Sequence, residues 1–200
     1  QFASDSDGPP EGVFIAEGEL VVRQLIDSRF RTRSLLLSPQ RLTTVRDCLE
    51  RLPPQTPIFL ADQTVMNGIV GFNIHRGILA AGDRPSEPDL DSLLKASSSL
   101  AILEDLSNHD NVGGIFRCTA ALAGIPLAPL LQGPAILLSP RCCDPLYRKA
   151  IRVSVGTALR VPFARLAPWP DRLQDVRRAG FALLALTPDS AAIPIDRLGL

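Results

Sequence analysis

Two stretches of this sequence bring together residue types that could do chemistry. The first, NHDNVGGIFR from Asn108 to Arg117, places polar capping residues and two glycines at the start of an expected helix, just after an expected strand. The first turn of such a helix has unpaired N–H groups and the positive end of the helix dipole, so it can hold an anion. An ordinary capped helix start fits the same residues, with Arg117 as an exposed arginine in a weak surface ion pair. The second stretch, Ser139 to Arg165, sets Arg141, Arg148, Lys149, Arg152, Arg160 and Arg165 against one acid, Asp144. Bidentate, charge-assisted contacts from such a cluster suit a ribose-phosphate backbone. A solvated helix face carrying Arg148 and Arg152, four residues apart, fits equally well.

The elements that must position these residues follow from apolar periodicity. Leu20, Val21, Leu25 and Ile26 recur at helical spacing between Glu17 and Ser28, and SLLLS (Ser34–Ser38) reads as a buried strand. Leu42–Leu52 predicts a helix closed by Pro53 and Pro54, TPIFLA a strand, Gln63–Val70 a helix capped by Asp62, and Gly77–Ala81 a third strand. This alternation predicts a small α/β unit over residues 1–84. GDRPSEP (Gly82–Pro88) offers no apolar face and marks the linker. Beyond it, over 85–200, SLAILEDL, PAILLS, ALRVPF and FALLAL read as strands. Asn111–Ala123, Leu146–Val153 and Leu173–Ala179 read as helices between them. A parallel sheet covered by helices on both faces is the expected architecture.

Composition narrows the class. Two hundred residues with 46% apolar content suffice for a core without staples, and 21 basic residues balance 21 acidic ones. Cys48, Cys118, Cys142 and Cys143 show no zinc spacing, so no metal is expected, and reduced thiols suggest a cytoplasmic setting. The start, QFASDSDGPPEG, has no signal-peptide pattern, and Pro126, Pro129 and Pro134 interrupt the longest apolar stretch, so no membrane span is expected.

Together, NVGGIFR with the following CTAALAG, the intervening LLSPRCCDPLYR, and RKAIRVSVGTALRVPF resemble the ordered motifs of the SpoU (TrmH-like) RNA 2'-O-ribose methyltransferases of the SPOUT superfamily. The likeness is strong from Leu103 to Leu166, and the preceding part more loosely resembles a ribosomal-protein-like RNA substrate-binding domain. The resemblance implies a trefoil-knotted α/β domain, S-adenosylmethionine as methyl donor, rRNA or tRNA as partner and a homodimer. It places Asn111, Arg117 and Glu104 at the catalytic centre, Arg117 engaging the target ribose or its phosphate as base or electrostatic organiser. It places Leu186, Thr187, Gly156 and Ser154 at the cofactor, and Arg141, Arg148 and Arg152 are the RNA-binding candidates. The family's third motif is not found, so the knot is expected to be incomplete in these residues. IPLAPLLQGP (Ile125–Pro134) is longer than expected for its join. A non-catalytic RNA-binding module that keeps the fold is the alternative. A Rossmann-type nucleotide enzyme is disfavoured because no G-x-G-x-x-G follows a strand.

Overall fold

The computed structural model describes residues 12–70, 76–122 and 133–198, which fold around two sheets. The first sheet is mixed, in the order β1-β4-β2-β3, built from β1 (Val13–Glu17), β2 (Thr32–Leu37), β3 (Ile58–Leu60) and β4 (Ile78–Asp83). Only the β2–β3 pair is parallel. The helices α1 (Glu19–Ile26), α2 (Pro39–Thr44), α3 (Arg46–Leu49) and α4 (Gln63–Val70) connect or flank these strands. The second sheet is parallel throughout, β5 (Ser97–Leu103), β6 (Gly133–Leu138) and β7 (Phe163–Arg165), in that order. With it go α5 (Leu90–Ala96), α6 (His109–Leu122), α7 (Arg148–Val153) and α8 (Leu173–Arg178).

Strand β6 shows why the second sheet is covered on both faces. Its side chains alternate, as a pleated strand requires. Ala135 and Leu137 join Leu90, Leu93, Leu94, Ala164, Leu166 and Val176 on one side. Ile136 and Leu138 face the other way, toward Val112 and Phe116 of α6 and Ile151 of α7. That second cluster crosses the expected boundary, where Gly82 and Asp83 belong to β4: Phe14, Ala16, Val21, Leu25, Leu35 and Ile78 are part of it as well. One apolar core therefore runs through both sheets.

Three expectations need correction, and one strand goes beyond them. Leu42–Leu52 is two short helices because Thr43 and Thr44 turn their hydroxyls back onto the Gln40 and Arg41 carbonyls, and Val45 then leaves helical geometry. VFIAE, buried along most of its length, is a strand that helical periodicity at α1 obscured. In ALRVPF, Thr157–Leu159 forms a 3-10 turn and only Phe163–Arg165 is strand, because Gly156, at φ +83°, redirects the chain. FALLAL keeps a strand's alternation, Phe181 and Leu183 packing inward, yet no ladder joins it to β5 or β7. Most of the IPLAPLLQGP join lies outside the described residues.

The two glycines of α6 have different jobs. A methyl group at Gly113 would stand 2.7 Å from the Ala150 carbonyl oxygen and 2.9 Å from Val153 Cβ, whereas one at Gly114 would meet nothing within 4 Å. Gly113→Ala should therefore force α6 off α7 and lower unfolding stability by about 1–3 kcal/mol. Gly114→Ala should be neutral or stabilise by up to about 1 kcal/mol through helix propensity. Urea denaturation of the two variants checks the contrast, and equal losses would refute it.

Candidate functional site

Parallel strands end together, so the residues just beyond β5, β6 and β7 form one edge, the place where open α/β sheets present ligand-binding groups. After β5 come Glu104 and Asp105, after β6 comes Ser139, and Arg165 closes β7. Asp105 sits at φ +49°, a conformation that costs a non-glycine residue energy and persists only when its surroundings hold it. Here Ser139 supplies two bonds: its hydroxyl donates to Asp105 Oδ1 at 2.8 Å and accepts from the Asp105 amide at 2.8 Å. Arg141 donates from Nε to Asp105 Oδ2 at 3.0 Å, and its Nη2 contacts the same oxygen. The Arg141 guanidinium, with the Ser139 hydroxyl, holds the Asp105 carboxyl below the usual carboxylate range, and Arg141 is raised in turn.

Arg165 fastens the adjoining loop. Its Nη1 donates to the carbonyls of Ser139, Pro140 and Cys142 at 3.4, 3.3 and 3.0 Å, while its amide donates to Glu87, between β4 and α5, at 2.8 Å. Across the same edge, Trp169 Nε1 donates to Glu104 Oε1 at 3.1 Å. Strands β5 and β7 are separated by β6, so this bond spans the end of the middle strand.

Apart from Arg148 and Arg152, the sequence candidates fall into four groups. Glu104 and Arg141 share the strand-end edge. Asn111 and Arg117 are both exposed on α6, with no ion pair among the described residues. At about 100° per residue they stand roughly 120° apart around the axis and about 9 Å apart along it. Asn111 lies in the first turn, nearest the edge. Beside it, His109 stacks on Tyr147 with ring centroids 4.3 Å apart, and Lys149 pairs with Asp110 at 2.7 Å. Ser154 and Gly156 lie instead in the turn after α7. The Ser154 hydroxyl donates to the Ile151 carbonyl and accepts from Ala158, while a Cβ on Gly156 would meet Gln24 of α1 at 2.8 Å. Leu186 is 86% exposed, and the Thr187 hydroxyl accepts from the Asp189 amide.

The basic segment is less available than its sequence suggests. Arg148, with only 21% of its side chain exposed, pairs at 3.2 Å with Glu17, whose side chain is 7% exposed. Arg160 donates to Gln24 at 3.2 Å, and Arg165 is spent on carbonyls. Arg152 remains exposed on the surface. Removing Arg148 would strand the Glu17 carboxylate, a change that typically costs several kcal/mol, so an Arg148 variant reports on folding as much as on ligand binding. Burial pushes the Cys48 and Cys143 thiols up, away from the reactive thiolate. Among the described residues no group of three His, Cys, Asp or Glu could hold a metal ion, and no helix is long and apolar enough to cross a membrane.

Sequence reasoning missed Asp105, Ser139 and Trp169, and it offered Arg165 to a nucleic-acid backbone rather than to the loop carbonyls it binds. The available signal was position: each polar residue that ends a parallel strand faces this edge, whatever motif contains it. Because Asp105 is lowered, its contribution to stability is present above the unfolded carboxyl value and is lost as pH falls through the folded one. Carboxyl NMR should show Asp105 titrating below the ordinary Asp range of about 3.9 and returning toward it in Arg141→Ala. Ordinary titration in the unaltered protein would refute the network.

Comparison with known proteins gives this edge a context. Residues 98–198 match the model of the SpoU rRNA Methylase family. A protein of Mycobacterium tuberculosis described as an uncharacterized tRNA/rRNA methyltransferase is 38% identical over 182 residues, covering 91% of this chain and 59% of the relative. The chain thus spans about three-fifths of that curated relative's length. The SpoU methyltransferase AviRb from Streptomyces viridochromogenes, solved with AdoMet, superposes with TM-score 0.63 at 18% identity, covering 84% of this chain and 59% of that one. A structure described as an RNA 2'-O ribose methyltransferase superposes with TM-score 0.60 at 18% identity, covering 92% and 66%. At these identities the structural likenesses establish the α/β fold.

Proposed function

Since the chain belongs to the SpoU rRNA methylase family, we propose that it transfers a methyl group from S-adenosylmethionine to a ribose 2'-hydroxyl of rRNA or tRNA. The observation that carries this reading is the NVGGIFR helix, which opens off the end of parallel strand β5 with Asn111 and Arg117 both facing solvent. The strand-end chemistry suits the donor: a carboxylate, Glu104, complements a sulfonium cation, and the half-buried indole of Trp169 complements a flat adenine. When bound, S-adenosylmethionine supplies an electrophilic methyl group.

The protein's share is binding and alignment. A ribose hydroxyl is a weak nucleophile until its proton is drawn away, so holding it in line with the methyl group should provide much of the acceleration. Asn111, in the first turn, can hydrogen-bond the ribose. A guanidinium suits charge stabilisation of the ribose oxygen or its phosphate better than action as a base, and Arg117 can supply that contact. Leu186 and Thr187 are exposed and can contact the adenosine, while Ser154 and Gly156 are buried in the turn after α7, where Gly156 lies against α1. Arg152 offers exposed positive charge to RNA, Arg141 is exposed but already shares its charge with Asp105, and Arg148 is paired with Glu17. The first unit serves as the substrate-binding part, and the trefoil knot and a homodimer belong to the same reading.

The test uses full-length protein, labelled S-adenosylmethionine and cellular RNA. Arg117→Ala should cut methyl transfer by roughly 10²–10³-fold, with donor affinity and melting temperature retained. Unchanged transfer would remove Arg117 from the mechanism. Salt-dependent RNA binding without donor affinity would select the non-catalytic module instead. Sedimentation should give a dimer, and a monomer at working concentrations would overturn that element.

A further inference from the structure

We infer that Trp169 is a ligand-binding residue of the donor site, its indole forming a face for the adenine ring, and that Glu104 acts as the positioning residue that aims it. The inference rests on the donor reading above and adds two residue roles to it. Trp169 follows β7, packs against the apolar cluster that includes Leu137, Leu166 and Val176, and is half-buried, so its ring has both apolar backing and open surface. Its one polar atom is already committed, because Nε1 donates to Glu104 across the end of β6. A ring with its N–H satisfied and its body backed by core can stack on a heterocycle without having to be ordered first, so little entropy is lost on binding. Ligands of parallel sheets gather at this edge. Phe181 and Leu183 pack against the same cluster, placing the chain that leads to Leu186 and Thr187 on the same side of the sheet.

Glu104 therefore acts through Trp169. With its carboxylate engaged by an indole and exposed beside a site for a cation, it steers the ring, and its charge favours the sulfonium.

The decisive measurement is fluorescence together with calorimetry on the full-length protein. Trp169 is the single tryptophan of this sequence, and Trp169→Phe provides the blank. S-adenosylhomocysteine should quench the emission along the curve given by the heat of binding. Adenosine should reproduce the quench and homocysteine should not. Trp169→Ala should weaken S-adenosylhomocysteine roughly tenfold or more, the size of one ring stack. Glu104→Ala should lower affinity and alter the emission, and Glu104→Gln, which keeps an acceptor oxygen, should restore both. Normal binding heat with no change in emission and unaltered affinity in Trp169→Ala would overturn the inference while leaving the proposed function intact. Absence of binding heat with every ligand would remove the donor reading itself, and the inference with it.

Discussion

Helices α6 and α7 approach so closely at Gly113 that a side chain there would collide with the Ala150 carbonyl, and much of the remaining architecture follows from that contact. It sets the starts of the two helices side by side, which lets His109 stack on Tyr147 and Lys149 reach Asp110. It also lets Val112 and Phe116 meet Ile136, Ile151 and Phe163 in one cluster, with Phe116 and Phe163 packed edge to face. Packing thereby fixes where Asn111 and Arg117 emerge: they are the residues left outside once Val112, Gly113 and Phe116 have turned inward.

At the strand ends a second principle operates, the satisfaction of polar groups by neighbours rather than by water. Asp105 adopts a disfavoured backbone conformation because Ser139 and Arg141 bind both its amide and its carboxylate. Arg165 takes up three carbonyls of the next loop. A rigid edge results, assembled from side chains that a charge count would assign to a partner. Local positive charge in this sequence is thus a poor measure of what is available to bind RNA.

What the sequence disclosed depended on the distance over which each cause acts. Strands β5 and β6 and helix α6 were legible because their apolar pattern is long and local. The family motifs were legible because order and spacing survive in one dimension. FALLAL misled because alternation reports which side is buried and says nothing of whether a neighbouring strand is present to bond. Leu42–Leu52 misled because two threonine hydroxyls outweighed periodicity. The partners that define the site lie far apart along the chain, Trp169 and Glu104 by 65 residues and Arg148 and Glu17 by 131, and no local pattern records such pairings.

The core shared by the two sheets bears on which parts of such a chain could be exchanged. Phe14, Val21 and Leu25 are buried together with Val112, Phe116 and Ile151, and Arg84 is paired with Asp144 alongside. A crossover within the connecting segment would leave these apolar residues facing a foreign surface and the paired charges without their counterparts. Exchange of either half as a module would therefore be costly, and a larger residue at Gly156 would press on Gln24 and the Val21 backbone of α1.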